Sequence, residues 1–254
     1  MKIATWNVNS LRVRLPQLSN WHQTGQADVI ALQETKAQDH EFPLEAIQSL
    51  GLHAVFSGQR SYNGVALLSK SPIEEVVAGI PGFDDEQKRV LAATVNGVRV
   101  INVYIPNGQA LDSDKFQYKL RWLDALTRYL DAELAQHEKL VLLGDFNIAP
   151  EDRDVHDPKA WEGGVHVSEQ ERSALRNMLG LGLNDLFRAF EQPEQSFSWW
   201  DYRAAGFRRN AGLRIDLILG SRGMTSDCAG CLIDKEPRRQ ERPSDHAPVI
   251  AEFN

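Results

Sequence analysis

Val90-Leu91-Ala92-Ala93-Thr94-Val95, then Asn96-Gly97, then Val98-Arg99-Val100-Ile101-Asn102-Val103-Tyr104 is the stretch that decides the fold class. Two runs of β-forming residues flank an Asn-Gly pair, and both turn residues tolerate the positive φ that a two-residue hairpin requires. Antiparallel neighbours in the middle of the chain argue against a purely parallel, doubly wound sheet. Working outward, similar runs recur at Ile3–Val8, Asp28–Gln33, Val65–Ser69, Leu140–Leu143, Phe197–Trp200, Leu213–Leu219 and Ala247–Phe253, bounded by Gly, Pro, Asn and Asp. Helical signals are fewer. From Ser113 to Gln136 the apolar positions Phe116, Leu120, Leu123, Leu126, Leu130 and Leu134 keep helical spacing, which predicts an amphipathic helix. Ser168-Glu169-Gln170-Glu171 matches a capping box leading into Leu175, Met178 and Leu179. Pro16–Thr24 and Pro43–Leu50 read as shorter helices, and Gly223–Gly230 as loop. Many strands, few helices and no Pro/Gly/Ser-rich linker predict two packed sheets with helices outside, in a single domain over residues 1–254.

Composition bounds what such a domain does. The 254 residues carry an ordinary apolar fraction of 42%, enough for a sizeable core. No apolar run approaches the ~18 residues of a membrane span, and the N-terminus enters a strand without a signal-peptide layout, so a cytoplasmic protein off the membrane is expected. The two cysteines, Cys228 and Cys231, have no second pair to complete a zinc site and read as ordinary thiols. A net charge of −7 argues against indiscriminate coating of DNA, but the local field matters more than the total. Cations cluster at Arg12 and Arg14, at Lys88 and Arg89, at Arg208, Arg209 and Arg214, and at Arg238, Arg239 and Arg242.

Polar residues gather at the strand ends. Asn7 and Asn9 close the first strand, and Gln33 and Glu34 the second; Tyr104 and Asn107 follow the hairpin. Gly144-Asp145-Phe146-Asn147 ends an apolar run, Asp216 lies within a strand, and Ser244-Asp245-His246 precedes the last one. Hard carboxylate and amide oxygens suit Mg²⁺, with Mn²⁺ as a possible substitute; zinc would want more His or Cys. Phosphodiester hydrolysis needs an activated water, neutralised charge and a stabilised leaving oxygen, and this inventory can supply all three.

Six ordered blocks then carry a resemblance. They are Thr5-Trp6-Asn7-Val8-Asn9-Ser10-Leu11-Arg12, Leu32-Gln33-Glu34-Thr35-Lys36, Asn102-Val103-Tyr104-Ile105-Pro106-Asn107-Gly108, Gly144-Asp145-Phe146-Asn147, Gly212-Leu213-Arg214-Ile215-Asp216 and Ser244-Asp245-His246-Ala247-Pro248. End to end, the chain resembles the exonuclease III and abasic-site endonuclease family of the endonuclease/exonuclease/phosphatase superfamily. The resemblance implies a DNase I-like α/β fold, a four-layer sandwich of two mixed β-sheets flanked by helices, with the site at one edge of the sheets. It also implies a Mg²⁺-dependent DNA-repair phosphodiesterase acting on double-stranded DNA at abasic sites or 3′ ends. By the same resemblance Glu34 holds the metal with Asn9 and Asp245 nearby, and Asp145, oriented by Asn7, activates water or protonates the leaving group. Asn147, Tyr104 and Asn107 contact phosphate, and His246, paired with Asp216, carries positive charge towards the transition state.

Substrate choice rests on Phe197-Ser198-Trp199-Trp200-Asp201-Tyr202-Arg203 and the following Gly206-Phe207-Arg208-Arg209. This stretch is similar to the family's aromatic loop, which implies that Trp199, Leu213 and Ile215 line a pocket for an extrahelical abasic sugar and that Arg208 lies on the DNA side; the alternative is that the Trp pair is core. His166 departs from the pattern, because many family members have Gly or Ser there. Its bulk is expected to narrow the pocket, disfavouring abasic incision while leaving 3′-end trimming and removal of 3′ blocking groups. The alternative is a loop histidine pointing to solvent. A small-molecule or lipid phosphatase of the same superfamily is the rival function, and it would need neither the Trp199 loop nor Arg208 and Arg209. A non-catalytic binding module would have lost several of the acidic and histidine positions. The sequence leaves oligomeric state open; a monomer is the working expectation.

Overall fold

The Asn96-Gly97 hairpin is present in the computed structural model, which describes residues 1–25 and 27–254. In chain order the first half forms β1 (Lys2–Asn7), α1 (Leu11–Gln23), β2 (Val29–Gln33), α2 (Leu44–Ser49), β3 (His53–Ser57), β4 (Val65–Ser69), β5 (Glu74–Ala78), β6 (Val90–Val95) and β7 (Val98–Tyr104). The second half forms α3 (Asp114–Leu134), β8 (Leu140–Asp145), α4 (Pro158–Trp161), α5 (Glu169–Gly180), β9 (Asn184–Asp185), β10 (Trp199–Trp200), β11 (Gly212–Leu213), β12 (Asp216–Gly220), α6 (Arg222–Asp227), β13 (Cys228–Ile233) and β14 (Val249–Phe253). Two six-stranded sheets result, ordered β13-β14-β1-β2-β4-β3 and β5-β6-β7-β8-β12-β9.

Each sheet contains one parallel pair, β1 with β2 and β7 with β8, and every other pairing is antiparallel. A parallel pair needs a crossover, and α1 and α3 supply it. Alternation along β7 shows how the layers form. Val98 and Val100 pack between the sheets, whereas Ile101 and Val103 pack under α3 with Trp122, Leu123, Leu126 and Leu130. A third apolar layer joins Trp6, Leu18, Leu32 and Leu68 beneath α1 and α2. The layers are therefore helix, sheet, sheet, helix, the four-layer sandwich that the resemblance implies.

Two buried polar contacts interrupt this apolar scheme. On the helix side of β7, Arg99 Nε donates to Glu133 Oε2 of α3 at 2.5 Å. Between the sheets, Asn102 Nδ2 donates to the carbonyls of Leu32 and Ala66 while its Oδ1 accepts from Gln33 Nε2 at 2.8 Å. Gln33 is thus an intersheet clip, placed one residue before Glu34.

Four segments differ from the sequence reading. Helix α1 begins at Leu11, ahead of Pro16, which sits inside it; proline fits helical φ and forfeits only one backbone bond. The presumed loop at Gly223–Gly230 is α6 followed by the start of β13, an edge strand bulged between Cys228 and Gly230. Both thiols are free, and burial pushes them up, Cys231 far above its ordinary value. The run Leu213–Leu219 breaks at Arg214-Ile215, where Ser198 Oγ takes the amides of Ile215 and Asp216. Within Phe197–Trp200 only Trp199 and Trp200 form a strand, a short ribbon with Gly212 and Leu213. No helix of the described residues is long and apolar enough to cross a membrane.

Candidate active site

The C-terminal ends of both parallel pairs open on one edge. Register fixes this: Asn7 lies opposite Gln33, Tyr104 opposite Asp145, and Asp145 opposite Asp216 at the start of antiparallel β12. The last turn before β14 joins them, because Ser244 Oγ donates to Asn7 O at 2.6 Å and Trp6 Nε1 donates to His246 O. Backbone torsion then aims the side chains. Asn9, Glu34 and Asn147 all have φ between 43° and 50°, a left-handed conformation costing ~1 kcal/mol per residue that persists where the surroundings over-determine it. Gly144 permits the turn into Asp145: at φ +148°, a Cβ there would lie 1.9 Å from Val103 O.

One amide organises the centre. Asn7 Nδ2 donates to Glu34 Oε1 and to Asp145 Oδ2, each at 2.9 Å. Ligand atoms of Glu34, Asp145 and His246 lie within 4.8 Å of one another. His246 Nδ1–H donates to Asp216 Oδ2 at 2.9 Å, and its Nε2 faces Asp145 Oδ2 at 3.7 Å. Ser198 Oγ completes the row by donating to Asp216 Oδ2 at 2.7 Å.

Electrostatics divides these groups into roles. Burial raises the Asp145 pKa to about 7, the neighbouring Asp216 charge adds to the rise, and His246 opposes it. Burial alone would lower the His246 pKa; the carboxylates of Asp216 and Asp145 reverse this and lift it to about 10. The two carboxylates thus favour the imidazolium form of His246. Tyr104 sits with its hydroxyl towards Glu34; burial and the Glu34 and Asp145 charges hold it protonated, as a donor. The Arg89 guanidinium lies 4.7 Å from its ring centroid.

The oxygens of Glu34, Asp145 and Asn9 are hard donors that could hold a cation. Lys36 Nζ lies 2.9 Å from Glu34 Oε2 and 2.5 Å from Asn9 Oδ1, so the cradle already attracts positive charge. This hard-oxygen set fits Mg²⁺. Asp245 stands beside this set: Asn9 Nδ2 donates to its Oδ1 at 2.8 Å, and Trp199 Nε1 donates to its Oδ2 at 3.0 Å.

A second cluster adjoins the first. Trp199, Leu213 and Ile215 come together with Ala149, Val155 and Trp161 in an apolar patch. The Trp pair divides: Trp200 is fully buried core, while Trp199 is half-buried at the patch. His166 is not a solvent histidine. Its residue is only 6% exposed, at φ +74°, with the ring 5.8 Å from Trp161. Nδ1–H donates to Asn147 O at 2.6 Å, and Nε2 faces Asn107 Nδ2 at 3.4 Å. Burial, and after it the nearby Lys119 charge, lowers the His166 pKa to about 4, so the ring is neutral. Asn107 Nδ2 also reaches Asn147 Oδ1 at 3.4 Å, placing both phosphate-contact candidates beside His166.

Three cations of the basic clusters, Arg14, Arg214 and Arg238, turn inward. Arg214 is buried between Asp154 and Asp185, and Arg14 bonds Tyr202 and Pro243 O. Arg238 is packed against Trp200, Tyr202 and Phe207. Arg208 is exposed, as are Arg12, Lys88, Arg209, Arg239 and Arg242. Sequence reasoning passed over Lys36, Ser198 and the Lys119–Glu171 pair, in which both side chains are 0% exposed. A lysine on the apolar stripe of α3, three residues after Phe116 and four before Leu123, was the available signal.

The endonuclease/exonuclease/phosphatase family profile matches residues 4–246. The chain belongs to that family. Within it, exodeoxyribonuclease III of Haemophilus influenzae is 37% identical over 266 residues, covering all of both chains. Among solved structures, the 3′ phosphatase NExo from Neisseria, bound to a product DNA hairpin, is 52% identical with a TM-score of 0.98, covering 100% of this chain and 99% of that one. An AP endonuclease from Archaeoglobus fulgidus is 38% identical with a TM-score of 0.96 over 100% and 99% of the two chains. Family members of similar fold thus bear the names of both 3′-end and abasic-site enzymes, and local geometry has to separate the two.

Proposed function

We propose that this nuclease-type hydrolase is a Mg²⁺-dependent phosphodiesterase of DNA repair that works chiefly on 3′ ends of double-stranded DNA, releasing terminal phosphates and nucleotides, with abasic-site incision suppressed. The observation carrying the substrate preference is the His166 ring, buried and anchored between Asn147 and Trp161 beside the apolar patch. Interiors packed at crystal-like density do not absorb an imidazole freely. A flipped sugar would have to share the space beside Trp199, Leu213 and Ile215 with that ring. A 3′-terminal phosphate needs only the catalytic edge. The name of the Neisseria 3′ phosphatase, at 52% identity, supports the same reading.

The residues perform the chemistry as follows. Asp145, whose pKa lies near 7 and whose Oδ2 is fixed by Asn7, orients the attacking water and takes its proton. Tyr104, Asn107 and Asn147 present donors to the phosphate oxygens. His246, held charged by Asp216, offers positive charge where the transition state becomes more negative. Glu34 and Asn9 would hold Mg²⁺, which supplies Lewis-acid neutralisation of phosphate charge when bound. Arg208 tracks the backbone of the duplex. The protein is expected to act as a cytoplasmic monomer.

The test uses end-labelled duplexes, one with a recessed 3′-phosphate and one with an internal abasic site, in Mg²⁺ or EDTA. Phosphate release that needs Mg²⁺, with abasic incision slower by roughly 10²-fold, supports the proposal; the size follows from a pocket obstruction of a few kcal/mol. Abasic incision as fast as phosphate release would overturn the preference, and turnover in EDTA would overturn the metal.

A further inference from the structure

Behind the phosphate-contacting amides lies an ion pair closed to solvent. Lys119 of α3 spends all three ammonium protons on Asn147 O at 2.8 Å, Asn107 O at 3.2 Å and Glu171 Oε1 at 2.5 Å. Glu171, in the first turn of α5, is equally saturated. Its Oε1 also accepts from the His166 amide at 3.0 Å, and its Oε2 accepts from Ser168 N and Ser168 Oγ. Neither side chain touches the catalytic carboxylates. Both grip the backbone of residues that do face substrate.

We infer that the buried Lys119–Glu171 pair is the specificity-determining brace of the site, holding His166 over the apolar patch and locking that obstruction to the amides of Asn107 and Asn147. The inference rests on the proposed role of His166. Three features support it. His166 holds a left-handed φ of 74°, a conformation less favourable than right-handed backbone for a residue with a Cβ, and the Glu171 carboxylate on its N–H helps to hold it there. The ring's second tether is the Asn147 carbonyl, which Lys119 also holds. Finally, a buried charge pair is an unlikely choice for stability alone, since well-packed apolar residues do as well; such pairs are better at fixing one arrangement among several. Here the arrangement fixed is that of α3, the Asn107 turn, the Asn147 turn and the segment of His166.

The brace predicts a change of selectivity, not merely of rate. In Glu171→Gln the His166 amide and Ser168 lose a charged acceptor, so the 166–168 segment relaxes and the patch opens. The ratio of abasic incision to 3′-phosphate release, measured under single turnover well below the melting temperature, should rise roughly tenfold, a coupling of ordinary size for residues in one network. Added to His166→Gly, the same substitution should raise the ratio no further, because the obstruction it governs is gone. A purely structural role would lower Tm and both rates together, leaving the ratio unchanged in Glu171→Gln, and that result would overturn the inference. If His166→Gly itself leaves the ratio unchanged, the proposed role of His166 fails instead. Should Glu171→Gln not fold, Ser168→Ala, which keeps the ion pair and removes one of the two donors to Oε2, decides in its place: a smaller rise supports the brace and no change overturns it.

Discussion

The two halves of the site are built differently. The half proposed to be catalytic, Asn7, Glu34, Asp145, Asp216 and His246, hangs from the ends of strands whose register brings them together. The half proposed to select substrate, Asn107, Asn147 and His166, hangs from loops, and a buried ion pair replaces register as the positioning device. The difference teaches where variation is tolerated. Moving a strand end disturbs two sheets at once, whereas a loop residue such as His166 can change the substrate while the chemistry stays intact. Substitutions in the first half should therefore slow every substrate alike, and those in the second should separate them.

The largest effect is expected for Asp145→Asn. Rates on 3′-phosphate and abasic duplexes should both fall by ~10³-fold or more, in the same proportion, since the acceptor for the water's proton is lost. Asp216→Asn comes next, at ~10²-fold, the cost of one preorganised charge partner. It should also move the alkaline limb of the rate profile. His246 is held charged to about 10 by Asp216 and Asp145; without Asp216 its folded pKa falls, so activity disappears at a lower pH as pH rises. A profile that keeps its alkaline limb would show that His246 does not act as a cation.

That these residues come together was legible in the sequence because a strand end followed by an acid or amide is a local pattern, and six such patterns recur in one order. Gly144-Asp145-Phe146-Asn147 and Ser244-Asp245-His246 needed no tertiary information. Asp245 shows the limit. The sequence puts it near the proposed metal site, but only the fold reveals that its two oxygens accept from Asn9 and Trp199 and so tie the aromatic ribbon to that site. The basic clusters show the same limit, since proximity in sequence could not reveal that Arg14, Arg214 and Arg238 turn inward to partners far along the chain. Glu171 was visible only as the third residue of a capping box. It does cap Ser168, and its second role depends on Lys119 from another helix.

Smaller effects sharpen the comparison on the selective side. His166→Gly should raise abasic incision relative to 3′-phosphate release by up to ~10²-fold, the obstruction assigned to the ring, and an unchanged ratio would place selectivity elsewhere, for instance in the exposed Arg208 loop. The same variant should alter acid stability. A buried neutral histidine has its pKa depressed to about 4 from 6.5, so the unfolded chain binds the extra proton. Stability is full above 6.5 and is lost as pH falls towards 4, by at most about 3 kcal/mol for this one group. Denaturant titrations of the two proteins at pH 7 and pH 4.5 should show a shallower loss in His166→Gly; parallel losses would mean that the ring is solvated.

The most direct measurement is a crystal structure of Asp145→Asn with Mg²⁺ and a duplex carrying a tetrahydrofuran abasic analogue a few nucleotides from a recessed 3′ end. The account predicts the 3′ terminus at the catalytic edge, the analogue outside the Trp199–Leu213–Ile215 patch, and His166 still bonded to the Asn147 carbonyl. An analogue seated in that patch, with the scissile phosphate between Asn147 and His246, would contradict it and make the protein an abasic endonuclease first.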